Sequence, residues 1–209
     1  MRYLLLDHLK FFSLVIMIAY HYFFIDTYFF NTTMWNFNHY LLEFIRFIFI
    51  GVSGFTLALN YSKNKDINYF SKRLYKLGLA ALLISIVTFL FINESFIYFG
   101  IIHLIFTANL LVYLSKYFKI YLLLVLPLFY FFPEVIHVKF LRLSTIDHFP
   151  LFPYFFYFII PFLSFSFLKD FLPLKKPNYI SNIVKHSLLI YLFHPVFILI
   201  YLHLYYKLI

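Results

Sequence analysis

Residues 9–30 read LKFFSLVIMIAYHYFFIDTYFF. A helix needs about 20 apolar residues to cross the roughly 30 Å hydrocarbon core of a bilayer, and this run supplies them. Six further apolar runs follow. The spans predicted from them are Leu9 to Phe30, Tyr40 to Tyr61, Leu74 to Ile92, Phe96 to Leu114, Ile120 to Phe132, Tyr154 to Phe171 and Ile183 to Tyr206. The fifth is short and carries Pro127. Composition agrees: 64% of the 209 residues are hydrophobic and 12% are charged, against about 25% charged in soluble domains. The runs are continuous, whereas a β-barrel shows short alternating segments. The expected fold is therefore an all-α polytopic bundle of about seven transmembrane helices, occupying residues 1–209 as a single membrane domain.

Arg2 and the apolar residues after it look like a signal peptide. Asp7, His8 and Lys10 interrupt that stretch and no small-residue cleavage site follows, so it reads as a retained first helix. The chain has no cysteine, which excludes disulfides, thiolate metal sites and a cysteine nucleophile. A net charge of +9 would suggest nucleic acid in a soluble protein. Beside membrane spans it sets topology instead, so no nucleic-acid partner is expected; the lipid bilayer is.

The loop charges alternate. Arg2 and Lys10 mark the amino terminus. Lys63, Lys65, Lys72, Arg73 and Lys76 mark the second connection, Lys116 and Lys119 the fourth, and Lys169, Lys175, Lys176 and Lys185 the sixth. The first and third connections have no Lys or Arg, and the fifth has only Lys139 and Arg142. The positive-inside rule puts the amino terminus in the cytoplasm and the carboxyl terminus outside. The expected location is the plasma (inner) membrane of a prokaryote. No internal repeat and no pair of broken helices of the transporter kind is visible.

Ionisable groups inside spans are costly and face the bundle interior, so they carry the information. Lys10 and His21 are eleven residues apart, three turns plus roughly 20° on one helix face, with a rise of about 16 Å. Asp7 falls within about 60° of Lys10 on the same side. A cation at the cytoplasmic interface and an imidazole near mid-depth would line a passage through half the membrane. The packing alternative makes Lys10 a snorkelling anchor and His21 a hydrogen-bonding bundle residue. Arg46, with Glu43 three residues earlier, reads as an i, i+3 ion pair. His103, His186 and His194 (before Pro195) each read singly as packing groups. Asp26, Asp147 and His148 lie at or near the outer surface. Gly51, Ser53 and Gly54 suit close helix packing. Taken alone, these residues permit an acyltransferase, a proton-coupled transporter or flippase working through buried histidines, or a non-catalytic scaffold.

The sequence resembles the heparan-α-glucosaminide N-acetyltransferase catalytic-domain family, within a wider superfamily of transmembrane acyltransferases, over nearly its whole length. Asp7-His8-Leu9-Lys10 through Met17-Ile18-Ala19-Tyr20-His21 looks like the family's opening Asp-x-x-Arg-Gly helix ending in Met-x-x-x-His, and Lys10 to His21 keeps the superfamily's Arg-to-His spacing. Phe47 to Phe55 looks like its glycine-rich second helix; Lys72-Arg73-Leu74 and Tyr98 to His103 follow in order. Thr145 to Pro153 resembles the outer-loop Asp-Tyr-x-Pro-x-x-Pro motif, and His186, Tyr191 and His194-Pro195 match the closing helix. Lys10 replaces the usual Arg and Phe11 the following Gly, and Lys lacks the bidentate fork that Arg offers phosphate. The eukaryotic enzymes carry a His shortly before an outer-loop Trp-Asn. The pair here is Trp35-Asn36 and the matching position is Thr32, so their substrate is not carried over.

The resemblance implies acetyl transfer from cytoplasmic acetyl-CoA, as acyl-donor co-substrate, to an outer-side acceptor: a glycan, lipid or polymer. It implies no metal. Lys10, Lys72, Arg73 and Lys76 would bind the CoA phosphates. His21 would act as base or acetyl-carrying nucleophile. Asp26, His103 and Asp147 would complete the catalytic set, with Arg46 and His148 on the acceptor side. The sequence leaves room for a homo-oligomer.

Overall fold

The structure is a computed structural model describing residues 2–32, 39–63, 67–92, 96–118, 149, 151–172 and 174–208. Among the described residues the regular structure is mainly helical, with one two-residue antiparallel pairing of β1 (Arg2–Tyr3) with β2 (Leu174–Lys175). The helices are α1 (Leu4–Phe30), α2 (His39–Ser62), α3 (Ile67–Ile92), α4 (Ile101–Phe118), α5 (Leu151–Leu168), α6 (Tyr179–Lys185) and α7 (Ser187–Leu208). Among the described residues, five helices are long and apolar enough to cross a membrane, and α4 adds a shorter apolar one. The expected span at Ile120 to Phe132 lies outside the described residues.

Helix ends differ from the expected spans for local reasons. Helix α1 starts at Leu4, because Asp7, His8 and Lys10 tolerate a helix at the interface as well as a loop. It ends where Asn31 takes a left-handed conformation (φ 55°) and returns its N–H to the Thr27 carbonyl at 3.1 Å, a role Asn fills at little steric cost. Helix α3 also starts early, so Lys72, Arg73 and Lys76 sit on its first turns rather than in a loop. The expected last span divides at His186 into α6 and α7. Asn178 starts α6 by accepting the Ser181 N–H at 3.0 Å, a side-chain N-cap.

The chain forms two compact units. The first runs to Val52 and resumes at Leu168. Its core is Ile25 of α1 against Ile198 and Leu202 of α7, with Ile18, Tyr22, Phe24, Phe30 and Leu199 packed around them. His21 lies beside His194 and Phe30 stacks on Tyr206 at 4.7 Å, so α1 and α7 run parallel. The opposite end is tied by Arg2 opposite Lys175 and by Asn178 against His8 at 3.3 Å.

The second unit, within Ser53–Phe167, holds the rest of α2 with α3, α4 and α5. Helices α3 and α4 are antiparallel: Ser85 meets His103, Gly78 meets Phe106 and Arg73 meets Asn109. Helix α5 lies almost against the α2 backbone. A Cβ added at Gly54 would stand 2.1 Å from the Phe158 carbonyl oxygen, so only glycine fits. Phe55 then packs edge-on to Phe165 at 4.9 Å. The Phe149 N–H donates to the Phe99 carbonyl at 2.9 Å, so α4 and α5 start from the same end of this unit.

Candidate functional site

His21 lies on α1, where its Nδ1 sits 2.9 Å from the Met17 carbonyl one turn back. His194 lies on α7, and its Nδ1 sits 2.7 Å from the Tyr191 carbonyl and 3.2 Å from that of Ile190. Carbonyl oxygens only accept, so both Nδ1 atoms carry hydrogen and, in the neutral rings, Nε2 holds the lone pair. Pro195 explains the second arrangement. Proline has no N–H, so the helical donor to the carbonyl four residues earlier, that of Tyr191, is missing, and the His194 imidazole takes its place. The two rings stand 4.8 Å apart, centroid to centroid, at an interplanar angle of 78°. His194 is buried, and its Nε2 has no hydrogen-bond partner among the described residues. Tyr191 and Tyr20 flank the pair, each 5.6 Å from a ring.

Five residues along α1, Asp26 accepts two hydroxyl hydrogen bonds. Thr32 donates to Oδ2 at 2.9 Å and Tyr206 donates to Oδ1 at 2.8 Å. The carboxylate thus fastens the end of α1 to the end of α7. Lys10, half-buried, lies three turns before His21 on the same helix. Arg46 pairs with Glu43 on α2, as their spacing predicts.

The other described site residues belong to the second unit. The Arg73 guanidinium joins three helices: Nε donates to Asn109 Oδ1 at 2.9 Å, and Nη2 to the Ser53 hydroxyl at 3.2 Å and its carbonyl at 3.3 Å. Lys72 and Lys76, on either side of it along α3, are exposed. Both ring nitrogens of His103 are engaged. Gly100 N–H donates to Nδ1 at 3.2 Å; Nε2 therefore donates to Ser85 Oγ at 3.0 Å, and that hydroxyl donates to the Ile97 carbonyl at 2.7 Å. His103 thereby fixes the turn before α4. Asp147 and His148 lie outside the described residues.

The structure therefore brings His21 together with a residue that sequence reading placed among packing groups. One signal for His194 was present: a histidine directly before a proline in mid-helix sits within reach of the carbonyl that the proline leaves without a donor.

Residues 2–196 match the family model described as heparan-alpha-glucosaminide N-acetyltransferase, catalytic. No curated protein and no solved structure matches the chain.

Proposed function

The chain belongs to the heparan-alpha-glucosaminide N-acetyltransferase catalytic family, and on that premise we propose that it transfers acetyl from cytoplasmic acetyl-CoA to an outer-side glycan, lipid or polymer at a site centred on His21. The family name points to acetyl transfer, and the helices are those of an integral membrane protein. The observation that supports a His21 centre is its imidazole. Within a span, its Nδ1–H is held by Met17, which directs the Nε2 lone pair to whatever substrate approaches.

Lys10, Lys72, Arg73 and Lys76 all fall on the cytoplasmic side in the charge reading, where the phosphates of CoA are met and cations bind them. Arg73 is already committed to Ser53 and Asn109, so the exposed Lys72 and Lys76 are the better placed of the three on α3. The acetyl thioester then has to reach His21. Lys10, about 16 Å before it on the same helix face, marks the cytoplasmic end of that route. On the outer side Asp26, held by Tyr206 and Thr32, and Arg46 border the acceptor, with Asp147 and His148 contributed by the outer loop. In the reaction Nε2 takes the proton of the acceptor amine or hydroxyl. The acceptor then attacks the acetyl carbonyl, the C–S bond breaks, and the sulfur leaves as CoA thiol after regaining a proton.

The test is release of CoA thiol by the detergent-purified chain, given acetyl-CoA and a panel of amine- and hydroxyl-bearing saccharides and lipids. A thiol reagent reads it without background, because the chain has no cysteine. Wild type should release thiol and form acetylated product. His21→Ala should lose at least about 100-fold, the usual share of a general base. His21→Ala at the wild-type rate would sink the His21-centred site.

A further inference from the structure

His194 carries more than packing. Its ring is buried against His21, its Nδ1–H is taken by two carbonyls of its own helix, and its Nε2 has no partner among the described residues. A buried polar nitrogen without a partner costs free energy that a bundle histidine could recover by turning to any neighbouring group. Two details oppose that recovery. Pro195 presents the Tyr191 carbonyl to Nδ1 at 2.7 Å, which fixes the tautomer. Packing of α1 on α7 through Ile25, Ile198 and Leu202 then holds the two rings at 4.8 Å. The outcome is two imidazoles, each anchored through Nδ1 to its own helix and each left with Nε2 as its reactive atom.

We propose that His194 is a second catalytic histidine, forming with His21 a two-imidazole relay for acetyl transfer. This rests on the acetyltransferase reading above. One Nε2 takes the acceptor proton as the new C–N or C–O bond forms. Once the two nitrogens, which are not hydrogen-bonded to each other at rest, close on one another from rings 4.8 Å apart, the proton passes to the Nε2 of the other ring and from there to the sulfur as the C–S bond breaks. No proton is gained or lost overall, and no other reactant is needed. With a single imidazole, the same nitrogen would have to reach both the acceptor and the departing sulfur. Two rings on parallel helices divide that distance.

The decisive variant is His194→Gln, which keeps a polar side chain of similar reach but loses the basic nitrogen. It is compared with wild type in the thiol-release assay, using whichever saccharide or lipid of the panel supports turnover. Expected is a loss of about 100-fold or more, with the thermal stabilisation by acetyl-CoA retained, and a His21→Gln/His194→Gln double variant little worse than either single one, as for residues acting as a unit. His194→Gln at the wild-type rate overturns the relay and leaves the acetyltransferase reading standing. No thiol release by wild type on any probe overturns both. Should His194→Gln fail to fold, nitrogen NMR of histidine-labelled wild type decides. Hydrogen on Nδ1 in both rings supports the relay, and hydrogen on Nε2 of neutral His194 overturns it.

Discussion

Replacing Gly54 with alanine tests the packing of α2 on α5 more sharply than any truncation. The added Cβ would lie 2.1 Å from the Phe158 carbonyl oxygen, 3.0 Å from its carbon and 3.3 Å from its Cα. All three atoms are backbone, so no rotamer change relieves the clash. Reaching an ordinary contact of 3.4 Å means parting the helices by more than about 1 Å, which also loosens Phe55 against Phe165 and Tyr61 against Phe162. Forced overpacking of this kind costs about 1–3 kcal/mol, and the rigid obstacle places Gly54→Ala at the upper end. Gly78→Ala is the control. Its Cβ meets only Phe106 side-chain atoms, the nearest at 3.1 Å, and a ring edge can yield by tenths of an ångström. Both substitutions gain the same roughly 1 kcal/mol of helix propensity, so the difference between them isolates the backbone clash. In a thermal melt of the purified protein, Gly78→Ala should match wild type within a few degrees. Gly54→Ala should fall well below it, since each kcal/mol moves the midpoint of a chain this size by roughly 2–4 °C. Equal midpoints for the two variants would refute the close approach of α2 and α5.

Arg73 and buried Asn109 should behave as one unit: in a double-mutant cycle to alanine their coupling should reach about 1.5–3 kcal/mol, the range for a hydrogen bond to a charged group, and no coupling would remove the clamp. Acetyl-CoA should raise the melting temperature of wild type as its concentration rises, with about tenfold weaker apparent affinity in Lys10→Ala; an unchanged shift in that variant would take Lys10 off the donor route. In this cysteine-free chain, a membrane-impermeant thiol reagent applied to intact cells should label Asn93→Cys and not Lys63→Cys; the reverse pattern would invert the orientation.

Five of the spans were legible among the described residues, because membrane-crossing helices are written in consecutive apolar residues. Their ends were less so, because the helices continue through charged residues, Asp7 and Lys10 in α1 and Lys72 and Arg73 in α3. The Gly54 packing role and the Glu43–Arg46 pair are local patterns, and both could be read directly. The pairing of His21 with His194 could not. One helix's periodicity says which of its residues share a face and nothing about which distant helix that face meets, and these two residues come from opposite ends of the chain. The same holds for Tyr206 on Asp26 and for Arg73 reaching Ser53 and Asn109. A loop cation in the sequence thus proves to be a cross-helix clamp.

The proposed reaction moves acetyl from one face of the membrane to the other through His21. The most direct measurement uses sealed proteoliposomes, with labelled acetyl-CoA outside and an impermeant amine- or hydroxyl-bearing saccharide that supports turnover in detergent enclosed within. Enclosed acceptor should become labelled in vesicles carrying wild type and stay unlabelled in those carrying His21→Ala. Transfer only when acetyl-CoA and acceptor share one compartment, or equal labelling with His21→Ala, would contradict it.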